Sequence, residues 1–138
     1  MRWNPPEAIA IEIGPSQVTF IDPDGPPFSL SPVVYLAPDT ERLKVLSVGA
    51  PPNGETGVRI EVFGQDRPPP GISKHDCLAA FLTHGLKAIV DRSLFRVKPD
   101  VVVRGAERLT QIFGGYERDL LTSALERAGA KRVRWPDE

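Results

Sequence analysis

The apolar residues of this chain change their spacing once, and that change limits the folds open to it. Up to residue 63 they come in five short runs, at 7–13, 17–22, 28–36, 43–48 and 58–63. Runs that short, rich in Val, Ile and Phe, read as strands. Proline marks most of the gaps. The chain has 15 prolines, most of them gathered at Pro5-Pro6, at Pro23 with Pro26-Pro27, at Pro51-Pro52 and at Pro68-Pro69-Pro70. Proline sets φ and carries no N–H, so these stretches read as loops. After Ser73 the spacing becomes helical. Leu78, Phe81, Leu82, Leu86, Ile89, Val90 and Leu94 fall on one stripe, which predicts a helix of about twenty residues.

The individual signals sharpen this outline. Residues 7–13 are apolar at nearly every position, which predicts a strand buried on both faces. Gly14-Pro15-Ser16 supplies a hairpin turn into the next strand. The run 28–36 reads as one strand, with Pro32 placing it at an edge or bulge. Residues 58–63 alternate as a half-exposed strand does. Ser73 is the expected N-cap of the long helix, with Asp76 in its first turn. Pro99 then breaks the pattern, and Val101-Val102-Val103 reads as a short buried strand. A second helix is expected over 116–128, with Leu120, Leu121, Ala124, Leu125 and Ala128 on its apolar side and Gly129 closing it. Residues 132–135 read as a last strand. The order is an antiparallel meander leading into strand–helix–strand units, hence an α/β fold with a mixed sheet, parallel strands after the meander, and two main helices. One domain over 1–138 suits the length. This is a ribonuclease H-like architecture.

Composition excludes more than it selects. Net charge is −1, so no bulk field draws the chain to nucleic acid or anionic lipid. The single cysteine, Cys77, excludes an internal disulfide and a cysteine metal cluster, and reads as a small buried hydrophobe. No charged-then-apolar leader opens the chain, and no apolar run approaches the roughly 20 residues of a membrane span. A cytoplasmic protein is the expectation. His75 and His84 lie nine residues apart on the expected helix, on opposite faces, and are no metal pair. Arg104, Glu107 and Arg108 follow a buried strand, where α/β proteins often place function; they read as solvated loop charges. Lys131, Arg132 and Arg134 read likewise. Trp3 and Trp135 stand near opposite chain ends and read either as contact residues or as covers of the sheet margin.

Several segments carry a resemblance. Ile9-Ala10-Ile11-Glu12-Ile13-Gly14-Pro15-Ser16 resembles the first phosphate-binding loop of the actin, heat-shock chaperone and sugar-kinase superfamily, Ile-x-Asp-x-Gly-Thr. Ser31-Pro32-Val33-Val34-Tyr35-Leu36, followed by Lys44-Val45-Leu46-Ser47-Val48-Gly49, is similar to a stretch of the bacterial actins of the MreB type. So are Lys98-Pro99-Asp100-Val101-Val102-Val103, Glu117-Arg118 and Ala128-Gly129-Ala130-Lys131-Arg132-Val133. The matches are collinear and cover most of the chain. The resemblance implies the first lobe of an actin-like ATPase, half-length and degenerate. It places Glu12 where the family's aspartate holds the water shell of Mg²⁺, Gly14 where the backbone approaches phosphate, and Pro15 where a threonine contributes a hydroxyl. Ser16 supplies a hydroxyl one residue late. Proline also removes an N–H donor. Asp137 and Glu138 fall near the place of the family's water-polarising glutamate, and the second phosphate loop and adenosine pocket belong to a half that this sequence lacks.

The expected function is therefore an interaction or scaffolding module, bound to itself or to a protein partner, without ATPase activity alone. No cofactor is expected, and ATP with Mg²⁺ would be held only weakly, at Glu12, Gly14 and Ser16. One alternative is a nucleotide-binding protein completed by dimerisation. Another is a nuclease of the YqgF type, which Val48-Gly49-Ala50-Pro51-Pro52-Asn53-Gly54 resembles. Such nucleases need carboxylates converging on two metal ions, and the family's Asp-Glu-Arg triplet does not occur. A lobe without its second half is also expected to expose an apolar patch.

Overall fold

In a computed structural model, residues 8–23, 25–38, 42–54, 57–90 and 98–136 are described. Trp3, Leu94, Asp137 and Glu138 lie outside the described residues. The chain forms β1 (Ile9–Ile13), β2 (Val18–Ile21), β3 (Phe28–Leu30), β4 (Val33–Leu36), β5 (Val45–Val48), β6 (Val58–Glu61), α1 (Lys74–Val90) and β7 (Asp100–Arg104). A 3₁₀ turn (Ala106–Leu109), one α turn α2 (Thr110–Phe113), α3 (Glu117–Arg127) and β8 (Arg132–Arg134) complete it. One sheet has the order β3-β2-β1-β7-β8, and a smaller one has β5-β4-β6. β1 to β3 run antiparallel, while β7 lies parallel to β1 and β8 parallel to β7. The expected α/β class, with a meander feeding parallel strands, is the class observed.

Two readings of the strands need correction. The run 28–36 is not one strand. β3 pairs with β2 and β4 pairs with β5 and β6, so the chain changes sheets at Ser31-Pro32. Proline cannot donate to a ladder. Here its carbonyl instead accepts from Val62 N–H at 2.9 Å, and Val33 N–H turns back to Ser31 O at 2.7 Å. Nor is β1 buried on both faces. Ile9, Ile11 and Ile13 are buried, whereas Ala10 is partly exposed and Glu12 exposed. The register extends that alternation across the sheet. Ile11 stands beside Phe20 and Val103 on the buried face, and Glu12 beside Thr19 and Arg104 on the other.

The buried face packs against α1. Phe20 and Phe81 are both fully buried, with ring centroids 6.0 Å apart, and Phe63 meets Phe81 edge-on. Cys77 lies in this core as expected of a small hydrophobe. Its thiol is pushed up by burial, which disfavours the thiolate. Both helix ends follow their sequence signals. Ser73 and Asp76 form a reciprocal cap: Asp76 N–H donates to Ser73 Oγ at 3.0 Å and Ser73 N–H to Asp76 Oδ2 at 2.9 Å. At the end of α3, Gly129 takes φ +112, with Gly129 N–H donating to Glu126 O and Ala130 N–H to Leu125 O. That is the Schellman arrangement, and only glycine reaches such a φ without strain. Among the described residues, no helix is long and apolar enough to cross a membrane.

The same cap joins α1 to α3. Arg127 Nη1 donates to Asp76 Oδ1 at 2.7 Å and lies 3.2 Å from His75 Nδ1, while His75 Nε2 meets Ser123 Oγ at 3.0 Å. The Ser73 N–H and then Arg127 pull the Asp76 carboxyl from 3.8 down to about 2. A group depressed in the folded state adds stability above its unfolded value and loses it as pH falls through the folded value. Asp76 is therefore expected to contribute about 1–2 kcal/mol above pH 4 and to lose it between about pH 4 and pH 2. Comparing Asp76→Asn with the parent in urea melts at pH 7 and pH 2 checks this. The gap between them should close at pH 2.

Candidate functional site

Two places draw on the chemistry-bearing residues, and they lie on opposite faces of the larger sheet. The first is the β1–β2 hairpin, with Glu12, Gly14 and Ser16. A phosphate loop needs backbone N–H groups turned outward. Here Gly14 N–H donates to Gln17 O at 2.9 Å and so closes the hairpin. Pro15 has no N–H to give. Ser16 is exposed at the tip. Glu12 faces Arg104 across the parallel β1–β7 pair, with Oε1 3.7 Å from Nη1 and both side chains about half exposed, at 49% and 58%. A guanidinium at that distance offsets the charge that would attract Mg²⁺. The next residue, Gly105, takes φ +84, and a Cβ there would run into the Ile13 carbonyl. The carboxyl ends of β1 and β7 thus close on each other.

Among the described residues, no group of three or more His, Cys, Asp or Glu side chains comes together to hold a metal ion. His84 is exposed, and His75 is engaged with Ser123 and Arg127. Lys131, Arg132 and Arg134 are exposed, and Arg134 approaches Asp100 at 4.0 Å.

The second place is a cleft of about 140 Å³ at the carboxyl ends of β7 and β8, lined by Val103, Ala106, Glu107, Glu117, Arg118, Trp135 and Pro136. Local sequence builds it. Gly105 turns the chain out of β7 into the 3₁₀ turn, whose Ala106 and Leu109 are buried. Gly114-Gly115 then bring it back, so that α3 starts with Glu117 beneath α2. Thr110 Oγ1 donates to Glu117 Oε1 at 2.6 Å. Glu117 is only 8% exposed, and its Oε2 is buried without a hydrogen-bond partner. The Thr110 hydroxyl, then the backbone N–H of Glu117 itself, with smaller contributions from Gly115 N–H and the Arg118 charge, holds this carboxyl below its ordinary value despite burial. The Arg118 guanidinium sits 5.0 Å from the Trp135 ring centroid. Trp135 is itself buried, at 7% exposure, so it covers the sheet margin.

Sequence reasoning placed Glu117 only within a resemblance and Glu107 among loop charges. Glu107 is exposed, in the 3₁₀ turn, but on the cleft wall. Nothing in the spacing shows that the first residue of a helix will be buried. The nearest signal is the hydroxyl of Thr110, seven residues earlier. Among the described residues Tyr116, beside the cleft and 67% exposed, is the one exposed large hydrophobic, and Ala10, Ile21 and Val102, neighbours on the larger sheet, are partly exposed. No protein-family model matches the chain, and no curated protein matches it either.

Proposed function

We propose that this chain is an interaction module built on an actin-type, ribonuclease H-like lobe, one that engages a protein partner or a second copy and does not turn over nucleotide by itself. The strand order supports the architecture. A β3-β2-β1 meander followed by two parallel strands on the far side of β1 is the arrangement expected of such a lobe. The observation that carries the functional half is Gly14 N–H bonded to Gln17 O next to a proline. The two backbone donors a phosphate needs first are, respectively, spent and missing. Phosphoryl transfer depends on donors positioned before the reaction starts. The Glu12–Arg104 pair works in the same direction. The face of the larger sheet that carries Glu12, Ala10, Ile21 and Val102 is partly exposed throughout, and Tyr116 stands exposed beside the cleft. Tyrosine, tryptophan and arginine concentrate at protein contacts.

Calorimetric titration with ATP and Mg²⁺ is expected to give no saturable heat. Sedimentation at rising concentration is expected to show association. Sustained ATP turnover by the purified chain overturns the proposal. A strict monomer that ignores nucleotide removes both self-association and completion of a nucleotide cleft by dimerisation.

A further inference from the structure

Strands that run parallel are normally covered on both faces, because their crossovers place helices there. β1, β7 and β8 run parallel. Yet α1 and α3 pack together and share one core with Ile11, Phe20, Val101 and Val103, so both lie on the same side of the larger sheet. The register puts ten side chains on the other side, and none of them is buried. One row across that side runs Ile21, Ala10, Val102 and Arg134. On β7 the row is flanked by Asp100 before it and Arg104 after it. We propose that this face is covered by a second copy of the chain, packed face to face about a two-fold axis that lies along the row. This rests on the interaction reading above and names its surface and its partner.

The charges select a second copy. A two-fold axis through Ile21, Ala10 and Val102 sets each of them on its own counterpart and reverses the direction of β7. Asp100 and Arg104 stand two residues either side of Val102. The same rotation therefore brings Arg104 over Asp100 of the second copy, and does so twice. Opposite charges then meet across the interface. Within the chain both residues are held only by long pairs, 3.7 Å from Arg104 to Glu12 and 4.0 Å from Asp100 to Arg134, and both keep exposed surface. Ala10, small and central in the row, lets the two sheets approach the spacing of about 10 Å at which sheets pack. Arg134 ends the row at the sheet edge, where its long side chain turns to solvent. Nucleic acid is a poorer match, since the face sets Glu12 and Asp100 beside its arginines and has no aromatic ring on which a base would stack. The face is small. Ten side chains fall well short of the roughly 20–30 residues a side of a stable interface, so the dimer is weak.

Sedimentation equilibrium of the whole chain, at concentrations up to about 1 mM, tests this in the range of weak contacts. A monomer–dimer equilibrium with no larger species is expected, because a two-fold contact closes on itself. Val102→Lys should weaken dimerisation by roughly tenfold. Asp100→Arg and Arg104→Asp each set like charges together twice, and each should weaken it by roughly fivefold or more. Mixed in equal amounts, those two variants should dimerise with each other, since every contact between positions 100 and 104 is then opposite in sign. Urea melts check that each variant folds. If a charge variant does not, Val102→Lys and Ala10→Arg carry the test, and both should give monomers. A dimer untouched by all of these changes lies elsewhere, which overturns the proposal and keeps the interaction reading. Charge variants that dissociate singly and do not recover when mixed overturn the two-fold register, as does growth beyond the dimer. A monomer throughout overturns the second copy and leaves a different protein as the occupant of the face. A chain that dimerises as expected and also turns over ATP keeps this face and loses the reading above.

Discussion

Phe20→Ala is expected to cost about 3–5 kcal/mol of folding stability, a large share of the 5–15 kcal/mol typical of a domain. Phe20 is fully buried where β2 meets α1. Its ring lies 6.4 Å from Phe28 and 6.0 Å from Phe81, centroid to centroid. Gly85 of α1 sits directly over it, and a Cβ at that position would overlap the ring atoms. The helix therefore approaches the sheet at the one residue without a side chain. Gly85 has no side chain with which to fill a cavity left at this contact. In urea unfolding the midpoint should fall with little change in slope. The complementary change, Gly85→Ala, is expected to cost about 1–3 kcal/mol by overpacking. Combining it with Phe20→Leu should cost less than the sum of the two single changes, because the smaller side chain clears the space. Strict additivity would falsify the packing assigned to this pair.

Gly105→Ala is expected to lose about 2–5 kcal/mol, from two effects that act together. The backbone there has φ +84, a region that side chains resist. The new methyl group would also meet the Ile13 carbonyl, which is backbone and cannot rotate away. The substitution forces β7 from β1 at the point where Glu12 faces Arg104 and where the chain enters the cleft wall. Gly14→Ala serves as the control. Its φ is not in the left-handed region, and its Cβ would meet only Gln17 O at 3.0 Å. A Gly105→Ala protein as stable as Gly14→Ala would mean that the close approach of β1 and β7 is wrong.

Much of the local structure was legible in the chain. Ser73 and Asp76 lie three residues apart, so their reciprocal cap could be read from spacing alone, and the same holds for Gly129 at the end of α3. The stripe from Leu78 to Ile89 announced α1 because neighbours on a helix face are close in sequence. The break at Pro32 was visible too, but only as an edge or bulge. Where the chain went next depended on whether β4 found better partners in β5 and β6 than in β2, and no local signal ranks those pairings.

The candidate site was legible in part. Gly14 could be picked out as part of a turn and Glu12 through the resemblance to a phosphate-binding loop, and Pro15 already told against a full phosphate grip. Neither the bond from Gly14 to Gln17 nor the guanidinium opposite Glu12 could be read from residue types. Arg104 reaches Glu12 only because β7 inserts beside β1 in one register. Glu117 was a surface-type residue by every local measure, and burial under α2 made it the sharpest feature of the molecule.

Sequence alone marked most strands, the long helix and the helix caps, since caps, periods and turn residues act over a few positions of chain. The tertiary structure alone decided that β1 is buried on one side, that β3 and β4 part company, and that Trp135 and Glu117 face inward. Those outcomes turn on contacts between residues far apart in sequence, where the loop closed by each pairing and the packing gained from it compete across the whole molecule.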